Sequence, residues 1–545
     1  MMKKLFMPLI FLIILLIPLV DLFHPGLPIT HDGQDHIARI ANFYINLKEG
    51  IIIPRWAPNL NWGYGHPILE FLYPLPSYLA SFFHWIGISL FDSAKIVFGI
   101  SMFFSGIAMY LWLSQFVNKK AAMIGGLLYV FAPYRFIDVY VRGDIGESLA
   151  FVFMPLVLVS LYKIYNDSKN KTLYIPIGAI SLACLILSHN AIALMYMPFI
   201  LFYVIYLISQ AKVKKSIILN SLFIILLGLG LSAFFWIPGL LEAKFTLRNI
   251  VTKGVYQGRF VSLFSLLYGP WSYHGNFTTQ LGILQWIAYI GTVPLLIFKK
   301  ISKERIFILI TLLYTCIAIF LMLSASDFIW QRIMLLQNFQ FPWRFLAATV
   351  FTGAVLGAIL INAIPKKIEN FVIAAALIAM LILNKDYWHA QGFLQRSESF
   401  FTGVYDSTTD TGESAPIWSV RFMEHRPKAP IEVIGGNAIV NSIRLSAVKH
   451  VYHVNAITNA QLLENTIYFP GWQVLVDNAR VAVEFQSAVN RGLITFFVSP
   501  GPHTIVVKYT ETPLRFVSDL ISGVTLGILI VIGIFTMRKG KEKKT

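Results

Sequence analysis

The sequence predicts a polytopic α-helical membrane protein of about twelve spans, with a β-rich extracytoplasmic domain ahead of the last helix. Three observations predict it. Of 545 residues, 57% are hydrophobic and only 13% charged. Apolar runs of roughly 17–24 residues, long enough to cross a bilayer's hydrocarbon core as helices, recur along the chain. One stretch alone, 385–513, is polar and alternates in strand fashion, in "GLITFFVS" and "HTIVVKYT", with turn signals "DNA" and "SPGPH" between such runs.

The spans are expected near 4–23, 93–116, 121–137, 148–165, 173–188, 191–209, 216–238, 281–298, 306–324, 345–364, 368–384 and 515–537. The first has a basic start and an apolar middle but reads "LIPLVDLFHPG" where small residues would mark cleavage, so it is read as an uncleaved anchor. Residues 71–91 are also apolar. Pro74 and Pro76 would interrupt a helix there, and counting it as a span would move later lysine-rich loops to the other side, so it is expected to lie at the outer interface with Tyr78 and Trp85. The chain divides into a transmembrane module (1–384, with a long first outer loop at 24–92), the β-rich domain (385–513), and a final helix with a basic tail (514–545).

The formal charge of +17 does not imply nucleic acid. Lysines gather in short loops ("MMKK", "NKK" at 118–120, "KIYNDSKNK" at 163–171, "KVKK" at 212–215, "KKISKER" at 299–305, "PKK" at 365–367, "RKGKEKK" at 538–544), and such loops mark the cytoplasmic side. This places both termini in the cytoplasm, and the plasma (inner) membrane is the expected location. Cys184 and Cys316 fall inside expected spans, which argues against a disulfide framework or a cysteine zinc site.

The polar clusters then fall on the outer face. "ITHDGQDHIARIANFYINLKEG" holds His31, Asp32, Asp35, His36 and Arg39 within nine positions. Asp32 could cap a helix running to Lys48, and Asp35 could pair with Arg39 one turn on. Alternatively Asp32 is a general base, or Asp32, Asp35 and His36 are ligands of a metal. The second outer loop carries Asp138, Arg142, Asp144 and Glu147. A solvated loop with an Arg–carboxylate pair accounts for Asp138, while an arginine there suits a phosphate and a carboxylate could activate a hydroxyl. His189 and Asn190 either close a helical hairpin or present donors to an outer cavity. Arg344, beside Trp343 at the start of a span, is a candidate for a lipid phosphate or an interfacial anchor.

Together these motifs resemble the membrane family labelled 6-pyruvoyl-tetrahydropterin-synthase-related, within the GT-C-type integral membrane glycosyltransferases. The matching pieces are His31-Asp32 with His36 and Arg39, Pro54-Arg55-Trp56, Gly63-Tyr64-Gly65 before Pro67, Tyr134-Arg135 with Arg142-Gly143 and Glu147, His189-Asn190, and Phe341-Pro342-Trp343-Arg344. "YFPGWQVLVDN" and "TPLRFVSDLIS" resemble the terminal β domain and last helix.

The resemblance implies a GT-C-like fold and transfer of a sugar from a polyprenyl-phosphate-linked donor to a glycan, lipid or protein acceptor outside the membrane. It implies catalytic roles for Asp32 and Glu147, and substrate contacts from His36, Arg39, Arg55, Arg142, Asp144, His189, Asn190 and Arg344. A divalent ion, Mg or Mn, belongs to that expectation, although the first loop reads Asp32-Gly33-Gln34-Asp35 in place of an adjacent acidic pair. Pterin chemistry is not implied, since no compact His-triad zinc domain is visible. The alternatives are a transporter or lipid flippase, whose ionisable groups would sit at mid-membrane, and a non-catalytic glycan-binding protein using Tyr468 and Trp472.

Overall fold

The computed structural model describes residues 2–167, 171–298 and 303–542. The lysine runs at 168–170 and 299–302 and the last three residues lie outside the described residues, so the loop charges expected there are not followed further.

Eight helices have the length and composition to cross a membrane: Leu90–Leu113, Ile145–Asn166, Asn190–Gln210, Lys214–Leu231, Arg305–Met322, Pro342–Ala363, Lys366–Asn384 and Pro513–Thr536. A bent pair, Lys119–Val130 with Pro133–Arg142 (48°), makes a ninth, and Met7–Phe23, Thr172–Ser188 and Ile283–Ile297 are shorter and apolar. Each expected span falls on one of these helices. Several begin at side-chain caps that the sequence supplies: Ser89 accepts from the Asp92 amide (3.0 Å), Asn118 from Ala121 (3.0 Å) and Asp144 from Glu147 (2.9 Å). Burial separates centre from rim. Ile145–Asn166 and Pro342–Ala363 are 78% and 83% buried by their neighbours, whereas Lys366–Asn384 is 17% buried and turns most of its apolar surface to lipid.

The apolar stretch near 71–91 folds as Leu75–Trp85, eleven residues and too short to span. Pro76 sits in its first turn, where a missing N–H costs nothing. Phe82 and Trp85 are exposed at its far end, as an interfacial helix requires.

Within 385–513 the two-residue strand Phe393–Leu394 pairs with Leu27–Pro28, and the remaining strands run from Ile431 to Tyr509. They form two antiparallel sheets. One orders Ala438–Leu445, Lys449–Ala456, Gly501–Tyr509, Trp472–Val476 and Ala479–Val481; the other orders Ile431–Gly435, Ala460–Ile467 and Leu493–Val498. "DNA" is a two-residue hairpin turn with Asp477 and Asn478 both left-handed (φ 50° and 69°). Tyr452, Leu462, Trp472, Val474, Phe496 and Ile505 fill the space between the sheets, and Trp56 and Tyr64 of the first loop (24–92) join the same core. Trp472 is therefore a packing residue, edge-on to Trp56 at 5.3 Å, while half-buried Tyr468 stacks on Phe485.

A buried ionic network fastens this domain's exit to the first loop. Arg515 of the last helix binds Glu70 (3.0 Å) and Glu242 (2.5 Å), and Arg55 binds Asp519 (2.7 Å) and Glu511 (3.2 Å). Burial, and the Glu242 charge beside it, push the Glu70 carboxyl up to about 8 against the pull of Arg515 and Arg55.

Candidate functional site

The segment 138–147, expected as the second outer loop, is no solvated loop. Ile137–Arg142 forms a π-helical turn, Gly143 reverses the chain at φ +73°, and a helix starts at Ile145. Asp138, Arg142, Asp144 and Glu147 are all buried there, because they satisfy one another. Arg142 reaches Asp138 at 2.6 Å, Asp144 at 2.7 Å and Glu147 at 2.8 Å, and lies over the Trp343 ring. Tyr134 donates to Glu147 (2.6 Å) and Tyr73 to Asp144 (3.1 Å). Burial would raise the Asp144 carboxyl, but Arg142 and then His189 outweigh it and hold it well below the usual carboxylate range.

This elbow holds the first loop by its backbone. The amides of His31 and Asp32 donate to the carbonyls of Val141 (2.9 Å) and Arg142 (2.8 Å). The approach is close enough that a Cβ on Gly143 would stand 2.3 Å from Thr30 Oγ1, so both its left-handed φ and its surroundings require glycine. Thr30 Oγ1 also accepts the amide of Gly33, the first residue of the helix (3.1 Å). Asp32 occupies the cap position of Gly33–Lys48 without a side-chain cap bond. Its carboxylate has no hydrogen-bond or ion-pair partner among the described residues.

Asp32 faces a cavity of about 1210 Å³ shared by the first loop and the elbow. Asp35, His36, Arg39, Arg142, Asp144, His189, Asn190 and Arg344 also line it, so the fold brings together most residues singled out in the sequence. Two do not reach the wall. Glu147 stands behind Arg142, and Arg55 belongs to the ionic network with Glu70, Glu511 and Asp519. The expected Asp35–Arg39 pair does not form. Asp35 accepts instead from the Tyr405 hydroxyl (3.2 Å), and Arg39 donates to Thr409 Oγ1 (3.0 Å), to the Thr409 carbonyl and to His36 Nδ1 (3.4 Å). Burial pushes the Asp35 carboxyl up, with Arg39 and the Tyr405 bond opposing. Burial, then Arg39, pushes the His36 imidazole down to about 3, which leaves it neutral.

The expected ligand set Asp32, Asp35 and His36 does not converge, because the helix directs Asp35 to Tyr405 and His36 to Arg39. Among the described residues, Asp144, Glu147 and His189 do converge, with donor atoms within 4.8 Å of one another. Their carboxylates already hold Arg142, so a guanidinium supplies the positive charge an ion would bring. His189 also caps its helix, Nδ1 accepting the Ile192 amide (3.3 Å).

Sequence reasoning missed several lining residues. Arg259 and Arg344 lie over the ring of Phe341, at 4.4 and 5.1 Å, with no carboxylate partner among the described residues, and Arg344 Nε is buried without a bond. Leu194, Met197, Leu229, Trp236 and Leu240 form an apolar arm, and Thr409, Asp410 and Glu413 close another side. The family motifs marked Arg344 but gave no signal for Arg259 or Asp410, which reach the cavity from distant loops.

A curated relative, an uncharacterized protein of Lactococcus lactis subsp. cremoris (strain MG1363), is 26% identical over 346 residues, 59% of this chain and 51% of its own. The chain spans about half the length of that relative. Among solved structures, the arabinofuranosyltransferase AftD from Mycobacteria aligns at 12% identity over 71% of this chain and 27% of its own, with TM-score 0.47. ArnT from Cupriavidus metallidurans, bound to undecaprenyl phosphate, aligns at 13% identity over 73% and 68%, with TM-score 0.40. The oligosaccharyltransferase AglB from Archaeoglobus fulgidus, with an inhibitory peptide and a dolichol-phosphate, aligns at 14% identity over 76% and 61%, with TM-score 0.44. Residues 69–393, more than half of the chain, match the family described as the 6-pyruvoyl-tetrahydropterin synthase related domain, membrane protein, and the chain belongs to that family.

Proposed function

We propose that the protein is an integral membrane glycosyltransferase that moves a sugar from a polyprenyl-phosphate-linked donor to an acceptor hydroxyl at the outer face. The observation that carries the reading is the Asp32 carboxylate, unpartnered in the wall of a large cavity and rigidly placed by the elbow behind it. Surface ionisable groups with no structural task, held on a fixed scaffold, are candidates for chemistry.

The cavity supplies the remaining parts. The apolar arm suits a prenyl chain, and Arg259 with Arg344 suits the phosphate, by charge and by fork-like donation. Asp32 accepts the proton of the acceptor hydroxyl as its oxygen bonds to the anomeric carbon. The bond from that carbon to the phosphate oxygen breaks, its electron pair leaves on the phosphate, and the two arginines stabilise the charge. Arg142 is occupied by three carboxylates, so it positions the elbow and is not free for the phosphate.

The test is a radiolabelled polyprenyl-phosphate-sugar assay on the purified full chain. Asp32→Asn is expected to lower turnover by about 10²–10⁴-fold, with folding and membrane insertion intact because the carboxylate holds nothing. Equal turnover by both proteins removes Asp32 from the mechanism, and solute movement without any transfer product favours the transport reading.

A further inference from the structure

Two segments beside the cavity pack into one unit with two faces. Residues 243–282 carry Lys244, Arg248, Lys253 and Arg259 and no acidic residue, and 323–344 carry Arg332 and Arg344 against Asp327. Tyr256 stacks on buried Trp330 at 5.3 Å, and Phe260 meets the same indole edge-on at 6.0 Å. The Gly254 amide donates to Gln337 Oε1 (3.4 Å), a second tie between the segments. The inner face of the unit lines the cavity, through Arg259, Phe260, Val261 and Phe339 among others.

The opposite face is apolar and uncovered. Ile250 and Phe264 are 73% and 71% exposed, and Leu267, Phe328 and Met334 are exposed with them. Single exposed apolar residues are ordinary, but these stand together on segments fixed to the ends of membrane helices. The Val261 amide donates to the carbonyl of Met322, the last residue of the Arg305–Met322 span (2.9 Å). Trp286 Nε1, in the first turn of Ile283–Ile297, donates to the Leu266 carbonyl (3.0 Å). Both helices turn apolar side chains outwards close to these joints, Ile317 and Phe320 on one, Ile283 and Ile287 on the other. Phe320 meets Phe328 at 6.5 Å, so the lipid-facing surface of the span runs on into the unit.

The charge fits the same surroundings. Lys253 and Arg332 are exposed, with no hydrogen-bond or ion-pair partner among the described residues. Cations in short loops mark the cytoplasmic side, yet this unit sits at the opposite end of the Arg305–Met322 span from Arg305. Topology therefore gives its cations no task.

We propose that this unit lies in the headgroup layer of the leaflet on the cavity side, where it binds anionic phospholipids. Ile250, Phe264 and Phe328 enter the acyl boundary, and Lys253 and Arg332 meet the lipid phosphates. Apolar side chains beside basic ones are the make-up of an interfacial element, and each cation near an anionic surface strengthens binding by about fivefold. Nothing in this rests on the transferase reading.

The experiment places a bimane label on Phe264→Cys in the full chain carrying Cys184→Ala and Cys316→Ala. The protein sits in phosphatidylcholine nanodiscs that hold lipid spin-labelled near the headgroup end of its acyl chain. The reference is the same label on Ile457→Cys, exposed at the end of the sandwich away from the last helix. Quenching at position 264 is expected to be at least about threefold the stronger. Spin-labelled phosphatidylglycerol should reach half-quenching at a mole fraction about threefold lower than spin-labelled phosphatidylcholine does. Lys253→Gln with Arg332→Gln is expected to abolish that preference and to leave quenching by phosphatidylcholine unchanged, which also shows that the unit keeps its fold. A label at 264 quenched no more than the one at 457 overturns the proposal, as does equal quenching by the two lipids or a preference that survives in the double variant.

Discussion

Replacing Arg142 by alanine is the sharpest perturbation of the elbow. The guanidinium is shared by three buried carboxylates at 2.6, 2.7 and 2.8 Å, none more than 5% exposed. Its removal takes the group from a formal charge of −2 to −3 and leaves each acid short of a partner. Breaking a buried ion pair from one side costs about 3–5 kcal/mol, and two carboxylates some 5 Å apart repel by about 3 kcal/mol at an effective dielectric of 20. Arg142→Ala is therefore expected to lose about 3–5 kcal/mol. The decisive measurement is a double-mutant cycle by denaturant or thermal unfolding in one fixed detergent. Arg142→Ala with Glu147→Gln should be more stable than Arg142→Ala alone, because the second change removes an orphaned charge. The vacated carboxylates should also bind Mn²⁺ at least about tenfold more tightly than the wild type, read by spin-resonance titration. A double variant no more stable than the single one, together with unchanged Mn²⁺ affinity, would refute the view of Arg142 as the cluster's resident cation.

Gly143→Ala should cost at least about 1–2 kcal/mol, since alanine meets both a left-handed φ and Thr30, and thermal unfolding would register it. Arg515→Leu leaves Glu242 buried without its cation and Glu70 with only Arg55 at 3.9 Å, and a loss of about 3–5 kcal/mol is expected. Limited proteolysis should then cut near residue 511 at lower protease concentration. Glu70 predicts a pH dependence. Its carboxyl titrates at about 8 when folded and near the ordinary 4.5 when unfolded, so between those values the native state binds more protons and stability falls as pH rises. Glu70→Gln should flatten that decline between pH 5 and 8, and parallel wild-type and variant curves would count against it.

Much of the fold was legible because membrane spans announce themselves locally, by length and hydropathy. The twelve expected stretches all fall on apolar helices, and "DNA" named its hairpin turn. The site was half legible. Asp32, His36, Arg39, Arg142, His189 and Arg344 carried motifs, and the fold gathers them around one cavity. What the sequence concealed was partnership. Spacing of four suggested Asp35 with Arg39, yet each found a partner about 370 residues away, Tyr405 and Thr409. Arg55 looked like a site residue from its motif and proved to anchor the last helix. Long-range pairing of this kind has no local periodicity from which to be read.

The structure also separates two tasks that adjoining acidic residues perform. Asp138, Asp144 and Glu147 are consumed by Arg142, and Asp32 by nothing, yet the Asp32 amide hangs on the Arg142 carbonyl and Gly143 packs against Thr30. Rigidity of the ion cluster thus fixes the proposed base, which the cluster never touches through a side chain. Thr30 is the joint between them, its hydroxyl closing the Gly33 amide at 3.1 Å. Thr30→Val keeps the shape and removes that bond, at about 1 kcal/mol of stability. If position is what the cluster contributes, turnover should fall by more than the stability loss accounts for, while the affinity for polyprenyl phosphate, which under the proposed function meets Arg259 and Arg344, stays within about twofold. A variant with wild-type turnover would show that Asp32 holds its place without the joint.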